Sequence, residues 1–138
     1  MATVDAQLRP VEREEYWELP LAGHSVTRCY VDHAFGLQFW SKSAEFELRI
    51  EGPFTLREPG GKKRSLRPME VHSLGSALGL FQRRVEFARA YKDGHLDILF
   101  SGGWELSVSP DPDYEAWELT GDSGRFVSTA GGDLAVWL

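Results

Sequence analysis

The chain has 138 residues, of which 42% are hydrophobic and 12% aromatic, and its net charge is −6. This length fits one domain, and the apolar fraction excludes a mainly disordered protein. A single cysteine, Cys29, excludes a disulfide framework within one chain and a cysteine-based zinc site. No apolar run reaches the ~18 residues of a membrane span, and residues 1–7 lack the features of a signal peptide, so we expect a cytoplasmic protein.

Residues 1–16 are polar and interrupted by proline, which predicts a flexible N-terminal leader before a single globular domain over residues 17–138. In that domain, apolar and polar residues alternate in four successive segments, as they do in half-buried strands. These segments are residues 25–32, 35–39, 46–50 and 54–57. Because the links between them are short, we expect one antiparallel meander.

A helix is predicted over residues 68–81. Pro68 suits the first helical turn, where its missing N–H has no partner in any case. One apolar stripe at α-helical spacing is formed by Leu74, Ala77, Leu78 and Phe81. Gly75 and Gly79 weaken this helix but would allow it to approach a sheet closely.

The second half of the chain resembles the first. Leu21, Val26, Leu37 and Phe39 recur 59 positions later as Leu80, Val85, Leu96 and Ile98. This spacing predicts an internal pseudo-repeat of residues 17–61 and 80–124, although chance alternation of strands could produce the same pattern. The expected fold is α+β and mainly β, with two similar antiparallel β-meander halves forming a sandwich or a barrel-like core, and one helix near 68–81 between them.

The tail departs from the repeat. Ser109-Pro-Asp-Pro-Asp113 predicts a rigid acidic turn, and residues 114–119 and 134–138 predict strands. We propose binding residues in the aromatic and acidic part of this tail, because aromatic anchors favour interfaces. They are Tyr114, Glu115, Trp117 and Glu118. The alternative is that the aromatic rings belong to the core and the carboxylates are only solvated. A glycosidase-type pair is not favoured, because the two glutamates should diverge on a strand.

Two segments carry a resemblance to a known family. Tyr114-Glu-Ala-Trp-Glu-Leu119, followed by Gly131-Gly-Asp-Leu-Ala-Val-Trp137, is similar to the C-terminal signature of a family of small uncharacterised proteins, mostly actinobacterial. Leu19-Pro-Leu-Ala-Gly23 is similar to the N-terminal pattern of the same family. The resemblance covers about residues 17–138. It implies one compact domain and no assigned activity, so no catalytic residue is transferred.

Charge is distributed unevenly along the chain. Residues 57–92 hold nine basic and three acidic side chains, whereas residues 93–138 hold one basic and nine acidic side chains. Such asymmetry indicates a charged partner surface, unless opposite charges neutralise one another across neighbouring strands. With an isoelectric point near 5.2, nucleic-acid binding is not favoured.

The sequence favours no catalytic, metal or cofactor site. The four histidines have no metal-ligand spacing, Cys29 falls in an apolar strand, and no nucleophile elbow, Walker loop or dinucleotide fingerprint is present.

The leading hypothesis is therefore a non-catalytic protein-interaction domain, in one form an immunity-type protein that neutralises a toxin. The alternative is a small-ligand-binding or enzymatic β-rich domain with a pocket between the two halves. A third hypothesis is self-assembly through the strand at residues 134–138.

Overall fold

The computed structural model describes residues 9–138. It contains thirteen strands and one 3₁₀ helix. In chain order they are β1 (Val11–Glu12), β2 (Tyr16–Glu18), β3 (Arg28–Val31), β4 (Phe35–Trp40), β5 (Glu45–Ile50), β6 (Phe54–Arg57), β7 (Lys63–Leu66), the 3₁₀ helix (Val71–Leu80), β8 (Val85–Tyr91), β9 (Leu96–Phe100), β10 (Trp104–Val108), β11 (Trp117–Gly121), β12 (Gly124–Thr129) and β13 (Asp133–Trp137).

The strands form two antiparallel sheets that pack as a sandwich. The seven-stranded sheet has the order β1-β2-β8-β9-β10-β6-β7, and the six-stranded sheet has the order β13-β12-β11-β5-β4-β3. Their inner faces share one apolar core. Phe35 of one sheet stacks on Phe54 of the other at 5.5 Å, and Trp17 meets Phe126 edge-on at 5.8 Å. The predicted mainly-β sandwich is confirmed, and the sheets do not close into the barrel that was the alternative.

Each sheet combines strands from both halves of the chain. Strands β3, β4 and β5 form a meander that is completed by β11-β12-β13. Strands β8, β9 and β10 form a meander with β1-β2 on one side and β6-β7 on the other. The predicted four-stranded meander over residues 25–57 is therefore correct for its first three strands and wrong for the fourth. Phe54 of β6 pairs with Val108 of β10 instead of with β5. Alternation shows which residues of a strand share a face, but it does not show which sheet the strand joins.

The predicted helix exists but is a 3₁₀ helix. Its buried residues are Leu74, Ala77 and Leu80, spaced three apart as the three-residue turn requires. Leu78 and Phe81, assigned to the stripe by α-helical spacing, are 53% and 48% exposed. Gly79 does allow a close approach, because a Cβ there would lie 2.4 Å from Trp104 Cη2.

The two ends of the described chain differ from the expectations in part. Residues 1–8 of the expected leader lie outside the described residues, and Val11–Glu12 pairs with β2. The tail strand begins at Trp117, so Tyr114 lies in the preceding loop and not on the strand. Among residues 9–138, no helix is both long and apolar enough to cross a membrane.

Candidate binding face

The outer face of the six-stranded sheet carries the most organised group of polar and aromatic side chains. We call it the network face. Strand alternation directs every second residue outward, and the register aligns these residues across neighbouring strands. Its members are Arg28, Tyr30, Gly36, Gln38, Trp40, Glu45, Glu47, Arg49, Glu118, Thr120, Arg125, Val127, Thr129, Asp133, Ala135 and Trp137.

Tyr30 is the centre of a hydrogen-bond network on this face. Its ring lies over Gly36, where a Cβ would come within 2.1 Å of Tyr30 Cζ. The Tyr30 hydroxyl donates to Glu47 at 2.6 Å, and Gln38 Nε2 donates to the other oxygen of the same carboxylate at 3.0 Å. Arg49 Nη1 donates to the Tyr30 hydroxyl at 3.1 Å. Three neighbouring strands therefore hold these side chains in one arrangement before any partner binds.

Arg49 continues the network to the turn between β3 and β4. Its two terminal nitrogens donate to the two oxygens of Asp32 at 3.0 and 3.1 Å. The hydrogen bond from Arg49, followed by the one from the Ala34 backbone N–H, lowers the pKa of Asp32 to about 2. Burial and the hydrogen bond to Glu47 raise the pKa of Tyr30, so the hydroxyl remains a donor at neutral pH.

At the other side of the face, Arg125 forms an ion pair with Glu118. The same guanidinium lies 5.0 Å from the ring centroid of Trp137, a cation–π distance. Trp137 is 52% exposed, and Trp40 on β4 is 47% exposed. The network thus lies between two large aromatic rings that solvent reaches.

The network face has a negative net charge. It carries three arginines and the carboxylates of Glu45, Glu47, Glu118 and Asp133, which gives a net charge of −1. Lys42 and the carboxylates of Asp32, Glu51, Glu115 and Asp122 lie at its rim, which brings the net charge to −4. Within the described part of the chain, Glu47 accepts hydrogen bonds only from the uncharged Tyr30 and Gln38. Its negative charge is therefore not neutralised by a direct ion pair.

The four binding residues predicted from the sequence do not form one site in the structure. Tyr114 is 46% exposed in the loop before β11, and burial together with a hydrogen bond to Asp111 raises its pKa. Trp117 is 1% exposed, and its indole N–H donates to the Gly94 carbonyl at 2.9 Å. Glu118 alone of the four lies on the network face.

Glu115 and Glu118 line a small recess together with Arg49 and Glu51. The recess has a volume of only about 20 Å³, which accommodates one water molecule and no sugar ring.

Tyr30, Gln38, Glu47 and Arg49 were not singled out by the sequence, although the alternation in residues 46–50 places Glu47 and Arg49 on one face. That signal is local to one strand. It does not reveal that Tyr30 and Gln38 come from neighbouring strands to meet the same carboxylate.

The basic segment forms no continuous stripe on the fold. Arg64 pairs with Glu58, and Lys92 pairs with Glu12 at 2.8 Å. Arg89 lies between Tyr16 and Phe87, at 4.9 and 4.6 Å from their ring centroids. The outer face of the seven-stranded sheet balances its charges, since Arg57, Lys63 and Arg89 stand beside Glu18, Asp97 and Glu105.

Other chemistry is limited in the described part of the chain. Residues 9–138 contain no cluster of three or more His, Cys, Asp or Glu side chains that could hold a metal ion. Burial raises the pKa of the Cys29 thiol to about 11, which keeps it in the weakly nucleophilic thiol form. Apolar side chains fill the space between the sheets, and two clefts, of about 490 and 780 Å³, open at the surface.

Comparisons with known proteins give one family. Searches of curated proteins and of solved structures return no match to this chain. The model of a family of unknown function, DUF6188, matches residues 17–138. This range contains both sheets from Trp17 onward and every residue of the network face. The chain therefore belongs to the family of unknown function DUF6188.

Proposed function

We propose that this protein is a non-catalytic protein-interaction domain that binds its partner through the network face. The observation that carries the proposal is the Tyr30–Glu47–Gln38–Arg49 network between the exposed rings of Trp40 and Trp137. Ordered polar groups lose little conformational entropy on binding, and exposed tryptophans supply the anchors that dominate protein interfaces.

The charge of this face defines the chemistry of the partner. With a net charge of −4 including its rim, and with no direct ion pair to Glu47 among the described residues, the face complements a basic protein surface and would accelerate association with it. An immunity-type protein that covers the basic surface of a toxin or nuclease is one form of this proposal. In that form the protein acts in the cytoplasm, where a nuclease reaches its substrate.

The test uses proteins encoded by genes adjacent to that of this chain, each co-expressed with it and analysed by size-exclusion chromatography and titration calorimetry. For the complex that forms, Trp40→Ala should weaken binding by about 30-fold, the loss of a 2 kcal/mol anchor. Glu47→Gln keeps an acceptor for Tyr30 but removes the charge, so it should reduce the association rate and its dependence on salt.

Matched controls lie on the outer face of the seven-stranded sheet. Tyr91→Ala removes an aromatic ring there, and Glu105→Gln removes a carboxylate; neither should change the affinity by more than about twofold. If the control variants lost as much binding affinity as Trp40→Ala and Glu47→Gln, the interface would lie outside the network face. Failure of every adjacent gene product to form a complex, together with thermal stabilisation by a metabolite, would favour the ligand-binding alternative.

A further inference from the structure

The four edge strands of the two sheets are protected unequally. In the seven-stranded sheet, β1 has only two residues, and β7 begins with Lys63 and Arg64. In the six-stranded sheet, β3 has only four residues, begins with Arg28 and has the 3₁₀ helix beside it. Short length, basic side chains and a covering helix are among the means by which proteins prevent edge strands from pairing with other chains. Three edges therefore carry such protection.

The fourth edge, β13, lacks it. Its sequence is Asp-Leu-Ala-Val-Trp, with a single charge at the first residue, no proline and no bulge in its register with β12. Among residues 9–138, no strand pairs with its outer side. Trp137 and Leu138 are 52% and 77% exposed at its end. The five residues span about 17 Å of strand edge. The Leu134 N–H on this strand donates to the carboxylate of Asp133 at 2.9 Å.

We propose that two copies of this chain pair through β13 as an antiparallel, two-fold symmetric dimer centred on Ala135. Antiparallel pairing of identical strands makes an isologous contact, in which each copy supplies the same edge. In this register, Asp133 of one copy lies opposite Trp137 of the other. The two Asp133 carboxylates are then about 14 Å apart along the strands, beyond the ~8 Å screening length at physiological salt.

The pairing also has a consequence for the network face. A two-fold axis perpendicular to the sheet joins the two six-stranded sheets into one of twelve strands, with both network faces on the same side. The dimer would present two copies of the face to a partner. The pairing rests on the backbone edge of β13 and not on the proposed function. Ala135 and Trp137 also belong to the network face, whereas Trp40 and Glu47 lie on β4 and β5.

The contact is small, because five residues of backbone and two exposed side chains bury less than the ~1,200 Å² of a stable interface. The dimer should therefore depend on concentration. Sedimentation velocity of the full chain from 1 to 300 μM, a range chosen to bracket a dissociation constant of about 10⁻⁵–10⁻⁴ M, should show the mass rising from monomer towards dimer. A monomer over the whole range would overturn the proposal.

Substitutions of Ala135, the residue at the proposed two-fold axis, test whether β13 forms the contact between the two copies. Ala135→Lys places two like charges opposite each other and should abolish the dimer, as should Ala135→Glu. An equimolar mixture of the two variants should restore it, because opposite charges then face each other across the two strands. Thr120→Lys adds the same charge to the outer face of β11, an interior strand, and should leave the dimer intact. The circular dichroism spectrum of each variant verifies its fold.

Two other results would contradict the proposed contact. A dimer that persists in both Ala135 variants uses another surface. Loss of the dimer in Thr120→Lys as well as in Ala135→Lys would show that net charge, and not the edge strand, controls association.

Discussion

The two sheets of this protein are built in the same way on the inside and differ on the outside. The six-stranded sheet joins the meander β3-β4-β5 to the strands β11-β12-β13. The seven-stranded sheet joins the meander β8-β9-β10 to the hairpins β1-β2 and β6-β7, so each sheet contains strands from both halves of the chain. Their inner faces form one apolar core. Outside, the six-stranded sheet carries an ordered network on a face whose net charge is −1, or −4 with its rim. The face of the seven-stranded sheet is balanced, and on it Arg89 lies over Tyr16 and Phe87.

We expect both sheets to contribute to the stability of the protein, but only one of them to bind a partner. The exchanged hairpins β6-β7 and β11-β12 make each half dependent on the other, because neither meander has its full sheet without the hairpin from the other half. Stability is therefore expected to be shared between the sheets. Recognition is expected to be confined to one of them, since among residues 9–138 the network face alone combines exposed tryptophans with a carboxylate of the hydrogen-bond network, that of Glu47, for which no ion pair is found.

The largest expected effect is on the first residues of the two exchanged hairpins, Phe54 and Trp117. Both are buried, at 2% and 1% exposure. Replacement of either by alanine should reduce the free energy of unfolding by about 3–5 kcal/mol. Trp117→Ala should cost more, because it also leaves the Gly94 carbonyl without its indole donor. Urea unfolding followed by circular dichroism measures both changes.

Trp117→Phe keeps an aromatic ring but removes the indole donor and part of the buried ring volume. It should cost about 1–3 kcal/mol for the unpaired Gly94 carbonyl, in addition to the cost of the cavity, and less in total than Trp117→Ala. If Phe54→Ala were nearly neutral while Trp117→Ala unfolded the domain, the two hairpins would not be equivalent in stability.

A smaller effect is expected where the 3₁₀ helix meets the seven-stranded sheet. Gly79→Ala would drive a methyl group into the Trp104 ring, 2.4 Å away, and should cost about 1–3 kcal/mol. Gly75→Ala is the matched control, since no atom lies within 4 Å of a Cβ there; it should stabilise the protein by about 0.4–1 kcal/mol. Thermal unfolding distinguishes the two, and an equal effect of both substitutions would show that Trp104 moves without cost.

The smallest effect concerns acid stability in the two equivalent turns, β3-β4 and β8-β9. In each, an aspartate accepts a hydrogen bond from a backbone N–H two residues later, at 2.8 Å for Asp32 and 3.1 Å for Asp93. Arg49 lowers the pKa of Asp32 from 3.8 to about 2, and the hydrogen bond with His95 lowers the pKa of Asp93. The stabilisation from each group is therefore complete above pH ~4 and is lost as the pH falls through the folded-state pKa.

Asp32→Asn should flatten the dependence of unfolding free energy on pH between about 4 and 2, and Asp93→Asn should do so to a smaller extent. Urea unfolding midpoints from pH 2 to 5, with carboxyl resonances followed by NMR, provide the measurement. An Asp32 carboxyl that titrates near 3.8 in the folded protein would show that Arg49 does not hold it.

The fold was predictable where local pattern decides the structure. Alternation in residues 35–39 and 46–50 identified β4 and β5, because burial of one face requires a period of two. It did not identify β7, whose Lys63–Leu66 sequence has no such pattern and is a strand because it pairs with β6. The position of the helix was predicted, but its three-residue turn was not. Leu78, which α-helical spacing assigned to the buried stripe, is exposed.

The candidate site was less predictable than the fold. Trp117 belongs to the family-like tail and is an aromatic residue beside carboxylates, yet its side chain lies in the core. Tyr30 and Glu47, which form the shortest hydrogen bond of the network, are 17 positions apart. They meet because β3, β4 and β5 are adjacent in register, and no short motif encodes that proximity.

The sequence by itself determined that this is a β-rich domain with a core large enough to fold, because composition and alternation follow directly from burial of apolar surface. Only the tertiary structure decided that the two halves exchange hairpins, that the network face assembles from neighbouring strands and that β13 is the unprotected edge. The physical reason is that backbone hydrogen bonds between strands are independent of side-chain identity. Which strands become neighbours is therefore set by packing of the whole chain.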